Sequence, residues 1–140
     1  MRRILAPALT ATLIACSPVK TDEDPGPVAW ATLEEWQDLT GVLRPDLSIG
    51  VEYRPGHRQG QAQCWGLGKA TITLFRGSFE AEGFARIVRH TMLHELAHVH
   101  LTCSDVDHTD NPADLLYPYW TLENLDALPD RDAVRERWFR

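Results

Sequence analysis

The sequence has few basic residues, few cysteines, no internal repeat and no long apolar run. It contains 14 Lys and Arg and 20 Asp and Glu, and the resulting formal net charge of −6 argues against nucleic acid as a partner. The longest apolar run, residues 4–15, is shorter than the roughly 20 residues that a membrane-spanning helix needs. With 140 residues in total, the chain has room for one domain at most.

Residues 1–15 have the features of a bacterial secretory leader. Arg2 and Arg3 precede the apolar run, which ends in a small residue before Cys16. The sequence LIAC resembles the lipobox of bacterial lipoproteins, in which the cysteine receives lipid and becomes the new N-terminus. The resemblance implies a signal peptide over residues 1–15, a lipid anchor on Cys16 and a location in the bacterial cell envelope. An ordinary signal peptide is the alternative.

The composition changes after the leader. Residues 16–27 are polar, acidic and proline-rich and show no apolar periodicity, so we expect a flexible tether there. The folded domain is then expected to span residues 28–140. It contains Cys64 and Cys103, and in an oxidising compartment we expect these two to form a disulfide. Two separate buried thiols are the alternative.

Apolar residues recur at helical or strand spacing in several segments of the domain. The clearest helix, residues 84–101, carries a helical apolar pattern among good helix formers. Residues 57–69 contain three glycines and are expected to be mostly loop. The other expected elements are a helix over 28–41, strands over 47–56 and 70–77, an apolar turn over 115–120, and a closing helix over 122–139 interrupted at Pro129. This order predicts a small α+β domain with a short twisted sheet.

The helix over residues 84–101 contains the sequence HELAH. His94 and His98 are four residues apart and emerge from one face of the helix, where both imidazoles can bind a single metal ion. Glu95, next to the first of them, can act as general base toward a water molecule whose pKa zinc lowers to about 7. The pentapeptide in this setting predicts a zinc site. A solvent-facing helix that binds no metal is the alternative.

A catalytic zinc site needs a third protein ligand. His90 shares the helix face, but its Cα lies about 12 Å from that of His98, too far for one ion to bridge both. His100 is about 200° around the helix from His98 and points away. His108 lies in a loop that can fold back to the metal. The remaining candidates are the carboxylates of Asp105, Asp107, Asp110 and Glu123.

The stretch HTDNPADLLYP, residues 108–118, follows the motif. Together with HELAH it resembles the matrixin-like metzincin zinc peptidases, in which a third histidine precedes an acidic, proline-containing loop and an apolar turn. The resemblance implies that His94, His98 and His108 bind Zn²⁺. It also implies that Glu95 is the general base of a zinc metallopeptidase and that a protein or peptide is the substrate.

The resemblance extends to other parts of the chain. Residues 33–41, LEEWQDLTG, look like the family's first helix, and residues 70–75, ATITLF, look like the edge strand above the cleft, with which an extended substrate would pair. Leu116 falls on the methionine of the family's Met-turn, and Tyr117 or Tyr119 is a candidate for oxyanion support. The implied fold is a monomeric zincin domain with an active-site helix and a C-terminal helix.

Three features depart from the family pattern HExxHxxGxxH. His108 follows His98 by ten residues instead of six, and the sixth position is Ser104. Leu101 stands where the family has glycine, and Leu116 stands where it has methionine. Three other hypotheses therefore stay open: a zinc site completed by a carboxylate, an enzyme kept latent by a cysteine thiolate on zinc, and a catalytically inactive zinc-binding lipoprotein that acts as a binding module.

Overall fold

The computed structural model describes residues 17–43, 45–66, 69–102 and 107–138. Within these ranges the chain forms three α-helices, three strands and a short π-helical segment, and this arrangement confirms the predicted α+β class. The elements are α1 (Gly26–Thr40), β1 (Asp46–Tyr53), β2 (Gly60–Gly66), β3 (Lys69–Arg76), α2 (Phe84–Ala97), the π-helical segment His98–Thr102 and α3 (Arg131–Trp138).

Helix α1 lies close to its predicted bounds because both of its ends carry local signals. Pro27 lies in the first turn, where the missing N–H of proline leaves no hydrogen bond unmade. Gly41 ends the helix in a left-handed conformation with φ of 74°, and its N–H donates to the Gln37 carbonyl at 2.8 Å. Leu33 and Trp36 point from α1 into the core.

The three strands form one mixed sheet in the order β1, β3, β2. Strand β1 is parallel to β3, and β2 is antiparallel to it. Two predictions are corrected by this topology. Residues 57–69 are not mostly loop, because β2 occupies Gly60–Gly66. The strand predicted over residues 70–77 is not an edge strand, because β3 has a neighbour on each side.

Strand β2 forms in spite of its glycines because they lie at its ends. Between them, Ala62 is buried and Cys64 is half-buried, whereas Gln63 and Trp65 are exposed. This alternation is the period of two expected for a strand with one buried face. The glycines suggested a loop, but the residues between them have the alternating pattern of a strand.

Helix α2 is fixed on the sheet by one apolar cluster. Ile72 and Leu74 of β3 are fully buried, and Val88, Met92 and Leu96 of α2 belong to the same cluster. Full burial of each such side chain stabilises the fold by about 1.5 to 3 kcal/mol. The cluster therefore determines which face of α2 turns away from the core.

The closing helix is shorter than the predicted residues 122–139. Helix α3 begins only at Arg131, after Pro129. Proline has no N–H for a helical hydrogen bond and restricts the residue before it, so the helical pattern upstream of it cannot continue through. Asp130 then starts the helix, because its Oδ1 accepts a hydrogen bond from the Ala133 N–H at 3.0 Å.

The N-terminal end of the described chain contacts the domain. Backbone hydrogen bonds join residues 19–21, within the predicted tether, to residues 79–81. The predicted signal peptide, residues 1–15, and the predicted lipidation site Cys16 lie outside the described residues. In the described part of the chain, no helix is both long enough and apolar enough to cross a membrane.

Candidate metal centre

Helix α2 and its π-helical continuation carry the two histidines of the HELAH motif. Leu93 and Leu96 between and beside them are fully buried in the core, so the helix presents His94 and His98 on another face. The Nε2 atoms of the two histidines lie 2.9 Å apart. The spacing of four residues thus gives the convergence that the sequence predicted.

The third histidine reaches the same point from the following loop. The Nε2 atom of His108 lies 3.3 Å from the Nε2 atom of each helical histidine. The loop is held by the apolar turn, because the Thr109 N–H donates to the Leu116 carbonyl at 3.1 Å. The Leu116 N–H in turn donates to Asp114 Oδ1 at 2.9 Å. His108 is therefore brought to the helix by backbone contacts with the turn downstream of it.

The three nitrogens fit a zinc ion. Ligand nitrogens at about 2.0 to 2.1 Å from one tetrahedral ion are about 3.3 Å from each other. The observed Nε2 separations of 2.9, 3.3 and 3.3 Å are close to that value. Three histidines also form a common donor set for zinc sites that keep a fourth position open.

The tautomer of His94 is the one that binds a metal through Nε2. Its Nδ1 lies 2.7 Å from the Leu115 carbonyl, which can only accept a hydrogen bond, so Nδ1 carries the proton. The lone pair is then on Nε2, which faces the other two histidines. Burial lowers the pKa of His94 to about 4 and keeps the ring neutral. Sequence reasoning had no signal for the Leu115 carbonyl, because every residue has one.

Glu95 lies beside the three histidines at the wall of a cleft of about 560 Å³. The side chain is 5% exposed, and Gly60 of β2 lies directly against it. A Cβ atom on Gly60 would be 2.7 Å from Glu95 Oε1. The predicted general base thus faces the same cleft as the predicted ligands. Gly60 is a site residue that the sequence did not reveal, because a missing side chain leaves no periodic or chemical signal.

The other two histidines of α2 and its continuation do not join the three. The ring of His90 lies 6.4 Å from that of His94 between centroids, and the side chain is buried in the cleft wall rather than on the surface. The ring of His100 points away and packs between Trp36 and Trp138. Burial lowers the pKa of both His90 and His100 to about 4.

Among the described residues, no carboxylate candidate for the third ligand joins the three histidines. There, His94, His98 and His108 form the one group of three or more side chains with a metal-binding geometry. The carboxylate candidates Asp107, Asp110 and Glu123 are exposed and lie outside this group, and Asp105 is outside the described ranges.

The apolar turn lines the cleft beside His94. The Leu115 carbonyl contacts His94, and Leu116 is half-buried beside the apolar core. Tyr117 lines the cleft and its ring lies 6.2 Å from that of Tyr119, which is largely exposed. The two tyrosines are therefore near enough to the cleft for the predicted oxyanion role, which stays a prediction.

The predicted disulfide involves a residue outside the described ranges. Cys64 is half-buried on β2, and β2 contacts the π-helical segment His98–Thr102. Cys103 directly follows that segment in the sequence. The chain therefore passes close to β2 just before Cys103, and the pairing stays a prediction.

Comparison with known proteins identifies no relative: no protein-family profile, no characterised protein and no solved structure matches the chain. The candidate function therefore depends on the geometry of the three histidines and Glu95 and on the sequence resemblance.

Proposed function

We propose that this protein is a zinc-dependent metalloendopeptidase of metzincin type, exported and held in the bacterial envelope by a lipid on Cys16. The observation that carries the proposal is the convergence of His94, His98 and His108 at zinc-ligand spacing beside Glu95. The ten-residue step from the second to the third histidine is compatible with this role, because the π-helical segment His98–Thr102 lengthens the helix before the chain turns back.

The three histidines would hold zinc, which supplies a Lewis acid for the scissile carbonyl and lowers the pKa of its water ligand to about 7. Glu95 accepts a proton from the attacking water at its carboxylate and passes it to the leaving amine. The Leu115 carbonyl keeps His94 in the tautomer that presents Nε2 to the metal. Glu95 itself is only 5% exposed, which strengthens the electrostatic contacts of its carboxylate.

Of the two edge strands, β2 is the one that borders the cleft, since Gly60 lines it. The Phe75 N–H donates to the Gln59 carbonyl at 2.9 Å, and Gly60 stands opposite Leu74 in the antiparallel register. Hydrogen-bonded and non-hydrogen-bonded pairs alternate along such a ladder, so the backbone N–H and C=O groups of Gly60 and Ala62 point away from β3. We propose that a substrate backbone pairs with these groups, and not with the central strand β3.

Metal analysis and hydrolysis of a peptide library test the proposal. The mature wild-type protein should contain one zinc per chain and cleave peptides. Glu95→Gln should keep the zinc and lose at least about 100-fold in kcat, because the proton acceptor is removed. Glu34→Gln, an exposed glutamate on α1, is the matched control and should behave as wild type. Equal turnover by Glu95→Gln and wild type would exclude the mechanism.

A second candidate function is zinc-dependent binding of an envelope partner without hydrolysis. It is favoured by the positions where the chain departs from the metzincin pattern, namely Leu116 in place of methionine and Leu101 in place of glycine. This candidate predicts one zinc per chain with no cleavage of any library peptide, and it predicts that Glu95→Gln has no effect on partner binding.

A further inference from the structure

We infer that Gly60 is a positioning residue for Glu95: by having no side chain, it leaves the space in which the Glu95 carboxylate lies at the cleft wall. The inference rests on the proposed peptidase function for its catalytic meaning. Its structural content is independent of turnover, because it states where the carboxylate lies and what holds it there.

The first step is the closeness of β2 to α2. A Cβ atom added to Gly60 would lie 2.7 Å from Glu95 Oε1, 2.8 Å from Thr91 Cγ2 and 3.0 Å from Glu95 Cγ. All three distances are shorter than normal van der Waals contact between non-bonded heavy atoms, about 3.5 to 4.0 Å for carbon pairs. Glu95 and Thr91 are one helical turn apart, so both face β2 from the same side of α2. Any side chain at position 60 would therefore displace something.

The second step is which atoms would move. Thr91 is β-branched and has a single side-chain torsion with two common rotamers in a helix, so its methyl group moves only by a change of rotamer. The Glu95 carboxylate lies at the end of a side chain with three rotatable bonds. The smallest adjustment is rotation of Glu95 away from β2. Rotation of Glu95 relieves the short contacts with its Oε1 and Cγ atoms, whereas the contact with Thr91 Cγ2 is relieved by a change of the Thr91 rotamer or a small shift of β2. A methyl group at position 60 would therefore move the carboxylate by more than it moves the strand or the helix.

The third step is that glycine is not required here for backbone reasons. Gly60 is not among the glycines with positive φ, so alanine can adopt its backbone conformation. The requirement for glycine at this position is the space that the side chain of Glu95 occupies. Position 60 also turns its backbone polar groups to the open edge of β2, so one residue adjoins both the substrate path and the general base.

Gly60→Ala is the test, and Gly50→Ala is the matched control. Gly50 lies in β1, where an added Cβ would meet only Thr73 Oγ1 at 3.9 Å. For Gly60→Ala we expect unchanged zinc content, a kcat about 100-fold lower and a KM within about threefold of wild type, because a misplacement of about 1 Å at a reacting group costs about that much in rate. Gly50→Ala should match wild type in kcat, KM and zinc content. Unchanged kcat in Gly60→Ala would overturn the inference.

A double variant separates the two contacts. If the methyl acts on Glu95, the Gly60→Ala change should lower kcat by about the same factor in the Thr91→Ala background as it does in wild type. Recovery to the Thr91→Ala rate would mean that Thr91 had pushed β2 outward, and it would overturn the inference.

A crystal structure of Gly60→Ala gives a readout that needs no hydrolysis. The expected result is a Glu95 carboxylate displaced by about 1 Å or more, the scale of misplacement that lowers rate, and displaced clearly further than the backbones of β2 and α2. An undisplaced carboxylate would overturn the inference even if the protein is a peptidase. If wild type hydrolyses nothing but the carboxylate moves as expected, the proposed function fails and the positioning role of Gly60 stands.

Discussion

His98 and His100 lie two residues apart on the same helical continuation and are equally buried, at 1% exposure each, but their surroundings differ completely. The Nε2 of His98 lies near the Nε2 atoms of His94 and His108. The ring nitrogens of His100 have no hydrogen-bond partner among the described residues, and its ring packs between two tryptophans. Burial alone therefore does not distinguish a candidate metal ligand from a core residue.

The two faces of this helix also differ in what closes them. The face that carries His94 and His98 is covered by a loop and a turn that adjoin the cleft, through the backbone contact of Thr109 with Leu116. The opposite face is closed by Trp36 from α1 and Trp138 from α3. The first face therefore borders the cleft, while the second packs against two other helices.

The largest expected effect on zinc affinity is on the face that carries His98. Removing His98 or His108 with alanine should weaken zinc binding by more than about 100-fold, since loss of a hydrogen-bond partner to a ligand already costs about 10- to 100-fold. Isothermal titration with zinc measures the affinity. His100→Phe, on the opposite face, should bind zinc as wild type does.

The same titration tests the carboxylate alternative for the third ligand. Glu123→Gln and Asp107→Asn should leave zinc affinity unchanged, because both side chains are exposed and lie outside the histidine group. Wild-type affinity in His108→Ala together with a loss in either carboxylate variant would show that the three-histidine assignment is wrong.

The sequence predicted the helical part of the site better than the part from the sheet. In α2, the apolar period and the spacing of His94 and His98 are both local, so they can be read from consecutive residues. The approach of His108 to these two histidines was predicted from the loop after it, although the ten-residue step departs from the metzincin spacing. The closeness of Gly60 to Glu95 depends on how two distant segments pack, and no local pattern encodes it.

The errors in the fold have the same origin. Glycines at both ends of β2 suggested a loop, although the alternation from Gln61 to Trp65 was present. Strand β3 is central because β1 and β2 both pair with it, and strand pairing joins segments that are distant in the sequence. Pro129 is a local signal, and it did mark the place after which the last helix begins.

The largest expected effect on stability comes from the predicted disulfide, which would tie the His108 loop to β2. Reduction of the wild-type protein should lower its free energy of unfolding by about 4 kcal/mol, the chain-entropy value for a loop of this length. Urea unfolding with and without reductant measures the difference, and Cys64→Ser should show no dependence on reductant. Two reactive thiols in unreduced, urea-unfolded wild type would contradict the pairing.

The smallest of these effects is expected on the tryptophan-lined face, as a dependence of stability on pH. Burial, with the nearby charge of Arg137, lowers the pKa of His100 from 6.5 to about 4 in the folded state. Between these two values the unfolded chain binds more protons than the folded chain. The contribution of His100 to the free energy of unfolding is therefore fully present above about pH 6.5 and is lost as the pH falls toward 4. The contribution of this one residue at pH 4 is on the order of 3 kcal/mol.

His100→Phe isolates that contribution, because phenylalanine keeps a ring between Trp36 and Trp138 but does not titrate. Urea unfolding of the metal-free protein from pH 7 to pH 4 should show a shallower loss of stability for His100→Phe than for wild type. His100→Asn should have the same shallower slope as His100→Phe but be less stable than His100→Phe at every pH, since it loses the ring contacts. Parallel slopes for wild type and His100→Phe would mean that His100 does not cause the loss at acid pH, and that the two faces of the helix differ in packing alone.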